Sequence, residues 1–204
     1  MPIRAVIFDF GGVIVRTEDQ TRRLMWAERL GVPPEVFYAT VFDSEAAVQS
    51  SVGKAPEEEI WKHVARTLNV DAAQLPRLRT DFFAGDQRDD ALVAFIRGLR
   101  PTYRTGILSN AWLGARQVIA ERYGLGDAVD DIVISAEVGV AKPDPRIFEL
   151  ATARLGVQPQ ETVFVDDFTR NIAAAQAFGL HAVHFRSAPQ AMADVRVILQ
   201  SSMD

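Results

Sequence analysis

"IFDFGGVIV", residues 7–15, sets a single carboxylate, Asp9, at the end of an apolar run, passes through two glycines and turns apolar again. A carboxylate left buried and unpaired is strongly unfavourable, so Asp9 must be neutralised, solvated or used in chemistry. Which of these holds depends on what the rest of the chain brings to the same place. Comparable runs rich in Val, Ile and Phe recur at 5–10 (AVIFDF), 105–109 (TGILS), 132–135 (IVIS), 162–166 (TVFVD) and 181–185 (HAVHF). Several are apolar at successive positions, the pattern of parallel strands buried on both faces.

Helical patterns separate these runs. In 89–100, Leu92, Phe95, Ile96 and Leu99 fall on one face behind an acidic start, and Pro101 follows. In 144–156, Asp144 can cap, Pro145 suits the first turn and Gly156 suits the exit. The run RNIAAAQAFG ends in the same way at Gly179. Strands alternating with helices through 88–186 predict an α/β fold with a doubly wound, Rossmann-like parallel sheet. From about Thr17 to Asp86 the rhythm breaks: no strand-like run occurs, only helical patterns such as TRRLMWAERLG and EEEIWKHVARTLN, punctuated by Pro33-Pro34, Gly53 and Pro56. Residues 1–16 and 87–204 are therefore expected to form one α/β core, with 17–86 an all-helical insertion.

Composition narrows the function. The 204 residues are 48% hydrophobic and 24% charged, ordinary for a soluble globular protein, and no apolar stretch reaches the ~20 residues of a membrane span. Asp9 interrupts the one stretch that could be mistaken for a secretory core, and the expected location is cytoplasmic. Without cysteine there is no disulfide framework, thiolate metal site or cysteine nucleophile. The net charge is -5, and the basic residues are scattered, which removes the electrostatic footprint of a nucleic-acid binder. A monomer or weak homodimer without nucleic-acid or membrane partners is expected.

The polar residues fall in telling places. Asp9, Ser109 and the pair Asp166-Asp167 each stand at or just past the C-terminal end of a predicted strand, and Lys142 lies in the loop after another. In open α/β sheets those ends share one edge, where ligands bind. Three aspartates and one lysine leave a formal charge of -2 there, which one divalent cation would cancel; ligands that are all oxygen suit Mg²⁺. Neighbours on a strand point oppositely, so Asp167 is the expected direct ligand and Asp166 the second.

Four motifs, FDFGGV (8–13), LSN (108–110), VGVAKPDPRIF (138–148) and VFVDDFTRNIAAAQAFG (163–179), give the chain a resemblance to the haloacid dehalogenase superfamily over almost its whole length. The resemblance implies that the helical insertion is a cap over the site and that the chain is a Mg²⁺-dependent phosphatase acting on a small phosphorylated metabolite, sugar phosphates being one such class. It further implies Asp9 as the nucleophile that forms an aspartyl-phosphate, and Ser109, Asn110 and Lys142 as the groups holding the phosphoryl. The metal ligands it implies are Asp9, the Gly11 carbonyl, Asp167 and Asp166.

One position departs from the pattern. Most phosphatases of the family carry a second aspartate where this chain has Gly11, and that aspartate is their general acid and base, a role contributing typically ~10²–10⁴-fold. Some bacterial sugar-phosphate phosphatases of the family resemble this chain in having Gly there. Two alternatives stand beside the phosphatase: a metal-independent 2-haloacid dehalogenase, whose branch typically has an aromatic residue at this position, and a catalytically weak or inactive domain that binds phosphorylated ligands. Among other polar and aromatic residues, His63 is expected on the surface, Asn171 to orient a loop, and Trp26 and Trp61 in the core of the insertion. His181 and His184 lack ligand spacing, while Trp112 is expected to pack under the cap or border the pocket.

Overall fold

The computed structural model describes residues 1–202. Its main sheet contains β1 (Ala5–Phe8), β4 (Arg104–Ser109), β5 (Asp131–Ile134), β6 (Thr162–Asp166) and β7 (His181–His184), all parallel in the order β5-β4-β1-β6-β7. Alternation along each strand divides the apolar side chains between two layers. Val6, Phe8, Val163 and Val165 face a cluster with α6 (Asp90–Leu99) and α11 (Ala188–Ser201), whereas Ala5, Ile7 and Phe164 face α9 (Pro145–Leu155) and α10 (Thr169–Phe178). Both faces are thus buried, as the unbroken apolar runs predict.

Local chemistry sets the helix ends. Asp89 caps α6 by accepting from the Leu92 amide, and Asp144 caps α9 by accepting from the Arg146 amide, with Pro145 in its first turn. Gly156 and Gly179 close α9 and α10 at φ of +68° and +103°, a conformation that favours glycine. After β4 only a short α7 (Ala115–Gln117) forms and runs on into a π-turn at Val118–Arg122. A short α8 (Ser135–Val138) follows β5 directly.

The insertion holds five helices: α1 (Thr21–Leu30), α2 (Pro34–Phe42), α3 (Glu45–Ser51), α4 (Glu58–Thr67) and α5 (Leu75–Phe82). They close around Trp26, Phe37, Ile60, Trp61, Leu78 and Phe82, so both tryptophans sit in the core of the insertion. His63, expected at the surface, is only half exposed and bonds with Thr67. The structure also contains a feature absent from the strand pattern: β2 (Val15–Thr17) and β3 (Asp86–Arg88) pair antiparallel and join core to insertion. The Asp-Gln-Arg of β3 has no apolar face to betray it. Gly85 is obligatory beside this ribbon, because a Cβ there would lie 1.7 Å from the Asp19 carbonyl oxygen. Among the described residues no helix is long and apolar enough to cross a membrane.

Candidate active site

Asp9 follows β1 directly and is pinned by its amide, which donates to the Val165 carbonyl at 2.8 Å. Its side chain is buried and accepts from the Phe10 amide at 2.7 Å. Across from it, Lys142 is 3% exposed; its ammonium donates to Asp166 Oδ2 at 2.7 Å and to the Leu108 carbonyl at 2.8 Å, and pairs with Asp9 Oδ1 at 2.9 Å. A lysine so buried needs this degree of pairing. Ser109, also buried, ends β4 beside them. The three loops and the Asp166-Asp167 turn after β6 therefore meet at one sheet edge.

The two adjacent aspartates differ sharply. Asp166 is fully buried and saturated, accepting from Lys142, from Asn171 Nδ2 at 3.0 and 3.1 Å, and from the Phe168 amide at 2.8 Å. Asn171 thus holds the Asp166 carboxylate, in keeping with an orienting role. Asp167 is partly exposed, and its buried Oδ1 has no hydrogen-bond partner. It lies directly over Gly12, where φ is +85° and a Cβ would come within 2.4 Å of Asp167 Oδ2. The second glycine of FDFGGV is what lets this carboxylate approach the Asp9 loop.

Asp9, Asp166 and Asp167 each offer one oxygen, all within 4.8 Å of one another. Burial pushes the Asp9 carboxyl up to about 7, with Lys142 pulling it down and Asp166 pushing it further up. Burial, then the Asp166 charge, raises Asp167 as well. Crowded like charges with an orphaned oxygen among them fit a hard divalent cation, which would satisfy Asp167 Oδ1 and draw both values down.

Asn110 is engaged differently from a phosphate ligand. Its Nδ2 donates to the Lys142 carbonyl and its Oδ1 accepts from the Lys142 amide, both at 2.8 Å, so the side chain staples two loops together. Gly11 is exposed, and a Cβ there would meet nothing within 4 Å. Two contacts escaped the sequence reading. Ser135 Oγ accepts from the Ala111 amide at 3.0 Å and donates to the Ala111 carbonyl at 3.2 Å, and its place after β5 could have announced it by the same strand-end rule. His184 Nε2 donates to the Asp167 carbonyl at 3.0 Å, a contact that no spacing signals.

The haloacid dehalogenase-like hydrolase family matches residues 3–179. The chain belongs to this family. Among curated relatives, a D-ribitol-5-phosphate phosphatase of Bacteroides thetaiotaomicron is 28% identical over 98% of this chain and 100% of its own length. A sesquiterpene phosphatase of Aspergillus oryzae is 25% identical over 89% of each. Among solved structures, a haloacid dehalogenase family enzyme of B. thetaiotaomicron in complex with magnesium and inorganic phosphate superposes with a TM-score of 0.74 at 21% identity, covering 89% of this chain and 93% of that one.

Proposed function

We propose that the chain is a Mg²⁺-dependent phosphatase that hydrolyses a small phosphorylated metabolite through an aspartyl-phosphate on Asp9. The observation that carries this reading is the Lys142 ammonium held between Asp9 and Asp166 beside the orphaned Asp167 oxygen. The relatives support the reaction class, and their names, a polyol phosphate and a sesquiterpene phosphate, leave the alcohol open. The orphaned oxygen and the three-carboxylate cluster also favour metal-dependent phosphoryl transfer over metal-independent dehalogenation.

Asp9 and Asp167, with the Gly11 carbonyl, would hold the cation, which when bound neutralises negative charge on the substrate phosphoryl. Asp166, expected as the second ligand, has both oxygens occupied by Lys142, Asn171 and the Phe168 amide and adds its charge from behind. A carboxylate approaching a phosphate dianion is repelled unless cationic groups screen it. Lys142 supplies screening from the protein, and to reach a phosphoryl oxygen it must release one of its three present acceptors. An Asp9 oxygen forms the new bond to phosphorus as the ester P–O bond breaks and the alcohol oxygen departs with the electron pair. In the second half, water attacks phosphorus, the Asp9–phosphorus bond breaks, and phosphate and the free carboxylate are regenerated. Gly11 offers no proton in either half, so the alcohol must take its proton from water or from another group. Ser109, buried at the end of β4, orients the phosphoryl, while Asn110 keeps Lys142 in register.

The test is phosphate release from a panel of phosphorylated metabolites with and without Mg²⁺, with Asp9→Asn as control. Turnover that requires Mg²⁺ and is abolished by the substitution is expected. Turnover that persists without metal or survives in Asp9→Asn overturns the reading.

A further inference from the structure

The loop that follows Ser109 leads straight to an aromatic surface. Trp112 comes three residues after Ser109, which places its Cα within about 11 Å along even a fully extended chain. It belongs to the core by sequence, yet it packs against the cluster of the insertion. Its indole stacks on Phe42, with centroids 6.1 Å apart and an interplanar angle of 27°, and meets Phe83 edge-on at 6.4 Å. Phe42 ends α2 and remains 46% exposed despite this contact, and Leu113 beside Trp112 is 50% exposed. An apolar surface therefore straddles the seam between core and insertion next to the phosphoryl-holding residues.

That surface is rigidly placed. Ser135 grips both polar groups of Ala111, and the Ala136 amide adds a bond to the Ala111 carbonyl at 3.3 Å. Asn110 fixes the preceding residue to Lys142. The insertion is seated on the same segment: at Gly53, in the loop between α3 and α4, a Cβ would come 2.2 Å from the Ala136 carbonyl oxygen. The backbone leading into Trp112 is consequently held beside Ser109 and Lys142 by hydrogen bonds at residues 110 and 111.

Several hydrogen-bonding groups around the seam already have partners. Arg23 bonds the Phe82 carbonyl and Asp86, and Arg116 forks onto Glu137. Asn110 and Ser135 are engaged as described. A polyol would have to draw these groups away, whereas a hydrocarbon would bury against rings that are already half dry.

Resting on the phosphatase reading, we propose that Trp112 and Phe42, with Leu113, form the leaving-group wall of the site and select phosphate monoesters of apolar alcohols over those of polyols. The organic part of the substrate extends from the phosphoryl at Ser109 and Lys142 along the Trp112 ring. The alcohol carbon atoms are then buried along this wall, between core and insertion.

The experiment measures calorimetric binding of methyl-, propyl- and hexylphosphonate to the full chain with Mg²⁺, none of which requires turnover. Affinity is expected to rise by about fourfold per methylene in the wild type, and propylphosphonate should bind more tightly than 2,3-dihydroxypropylphosphonate. Trp112→Ala and Phe42→Ala should each reduce the rise to below about twofold per methylene, with Phe42→Leu between, and circular dichroism establishes that each variant is folded. An affinity independent of chain length, tighter binding of the dihydroxy compound, or a rise unchanged in folded Trp112→Ala and Phe42→Ala overturns the wall. If a variant does not fold, the wild-type series and the dihydroxy comparison still decide. Hydrolysis of acetyl phosphate, which carries no alkyl tail, reports the phosphatase reading separately. A flat series in a protein that hydrolyses acetyl phosphate removes the wall alone, and a steep series without that hydrolysis supports the wall while removing the phosphatase reading.

Discussion

The catalytic edge and the helical insertion bury charge in opposite ways. At the edge, Lys142, Asp9 and Asp166 are all nearly inaccessible and depend on one another, so that one lysine serves two carboxylates. In the insertion the buried carboxylate is Asp81, 2% exposed, and its arginine partners Arg22 and Arg77 reach in from solvent. The first arrangement keeps an excess of negative charge that calls for a ligand. The second is complete as it stands. Electrostatic frustration is thus concentrated where the chemistry is proposed, and the insertion is a self-satisfied body built on aromatic contacts.

The strongest way to break this contrast is to remove the central lysine. Lys142→Met leaves two buried carboxylates unpaired, and it should lower unfolding stability by about 3–5 kcal/mol in urea titrations and turnover by about 10²–10³-fold. Asp9→Asn should abolish turnover yet raise metal-free stability, because it removes one of three crowded like charges. If both variants lose stability alike, the excess negative charge is not the governing feature of the edge.

A second substitution sharpens the same contrast by filling a place at the edge where there is room. A Cβ at Gly11 meets nothing within 4 Å, so Gly11→Asp introduces a carboxyl without a clash. It should change stability by under about 0.5 kcal/mol and raise kcat by up to about 10²-fold if proton transfer limits the rate. Steady-state kinetics on a good substrate measure the gain. An unchanged kcat would mean that another group already supplies the proton.

The same contrast explains what the sequence made legible. Asp9, Ser109, Lys142 and the Asp166-Asp167 pair could be brought together because a parallel sheet puts every strand end on one edge, a rule that needs no side-chain geometry. Ser135 obeyed that rule and was overlooked because a serine after a strand also reads as an ordinary helix start. The β2–β3 ribbon was illegible because its second strand is three polar residues whose pairing is decided by Gly85 and the chain ends around it. Trp112 was expected to pack under the cap or border the pocket, and its ring does join the cluster of the insertion; what periodicity does not report is its stacking on Phe42. Helical spacing gives the face a residue occupies within its own helix, while the packing of one subdomain on another follows from shape.

The last effect expected lies in the insertion and carries a sign opposite to that of Asp9. Burial pushes the Asp81 carboxyl up, but the Trp26 indole bond at 3.0 Å and the Arg22 and Arg77 charges outweigh it and hold Asp81 below the usual carboxylate range. A carboxyl depressed on folding contributes stability that is fully present above its unfolded value, about 3.9, and is lost as pH falls through the lower folded value. Replacing it by Asn keeps an acceptor for Trp26 and removes the ionic partners, so Asp81→Asn should cost about 1.5–3 kcal/mol at pH 7. The difference between wild type and variant should shrink as pH falls below about 4, while other depressed carboxyls such as Asp89 and Asp130 affect both proteins equally and cancel. Urea unfolding followed by tryptophan fluorescence, with Trp26 and Trp61 as reporters inside the insertion, measures this difference. A gap that stays constant from pH 7 to pH 3 would mean that Asp81 acts as a neutral acceptor, and the insertion would then be held by its rings alone.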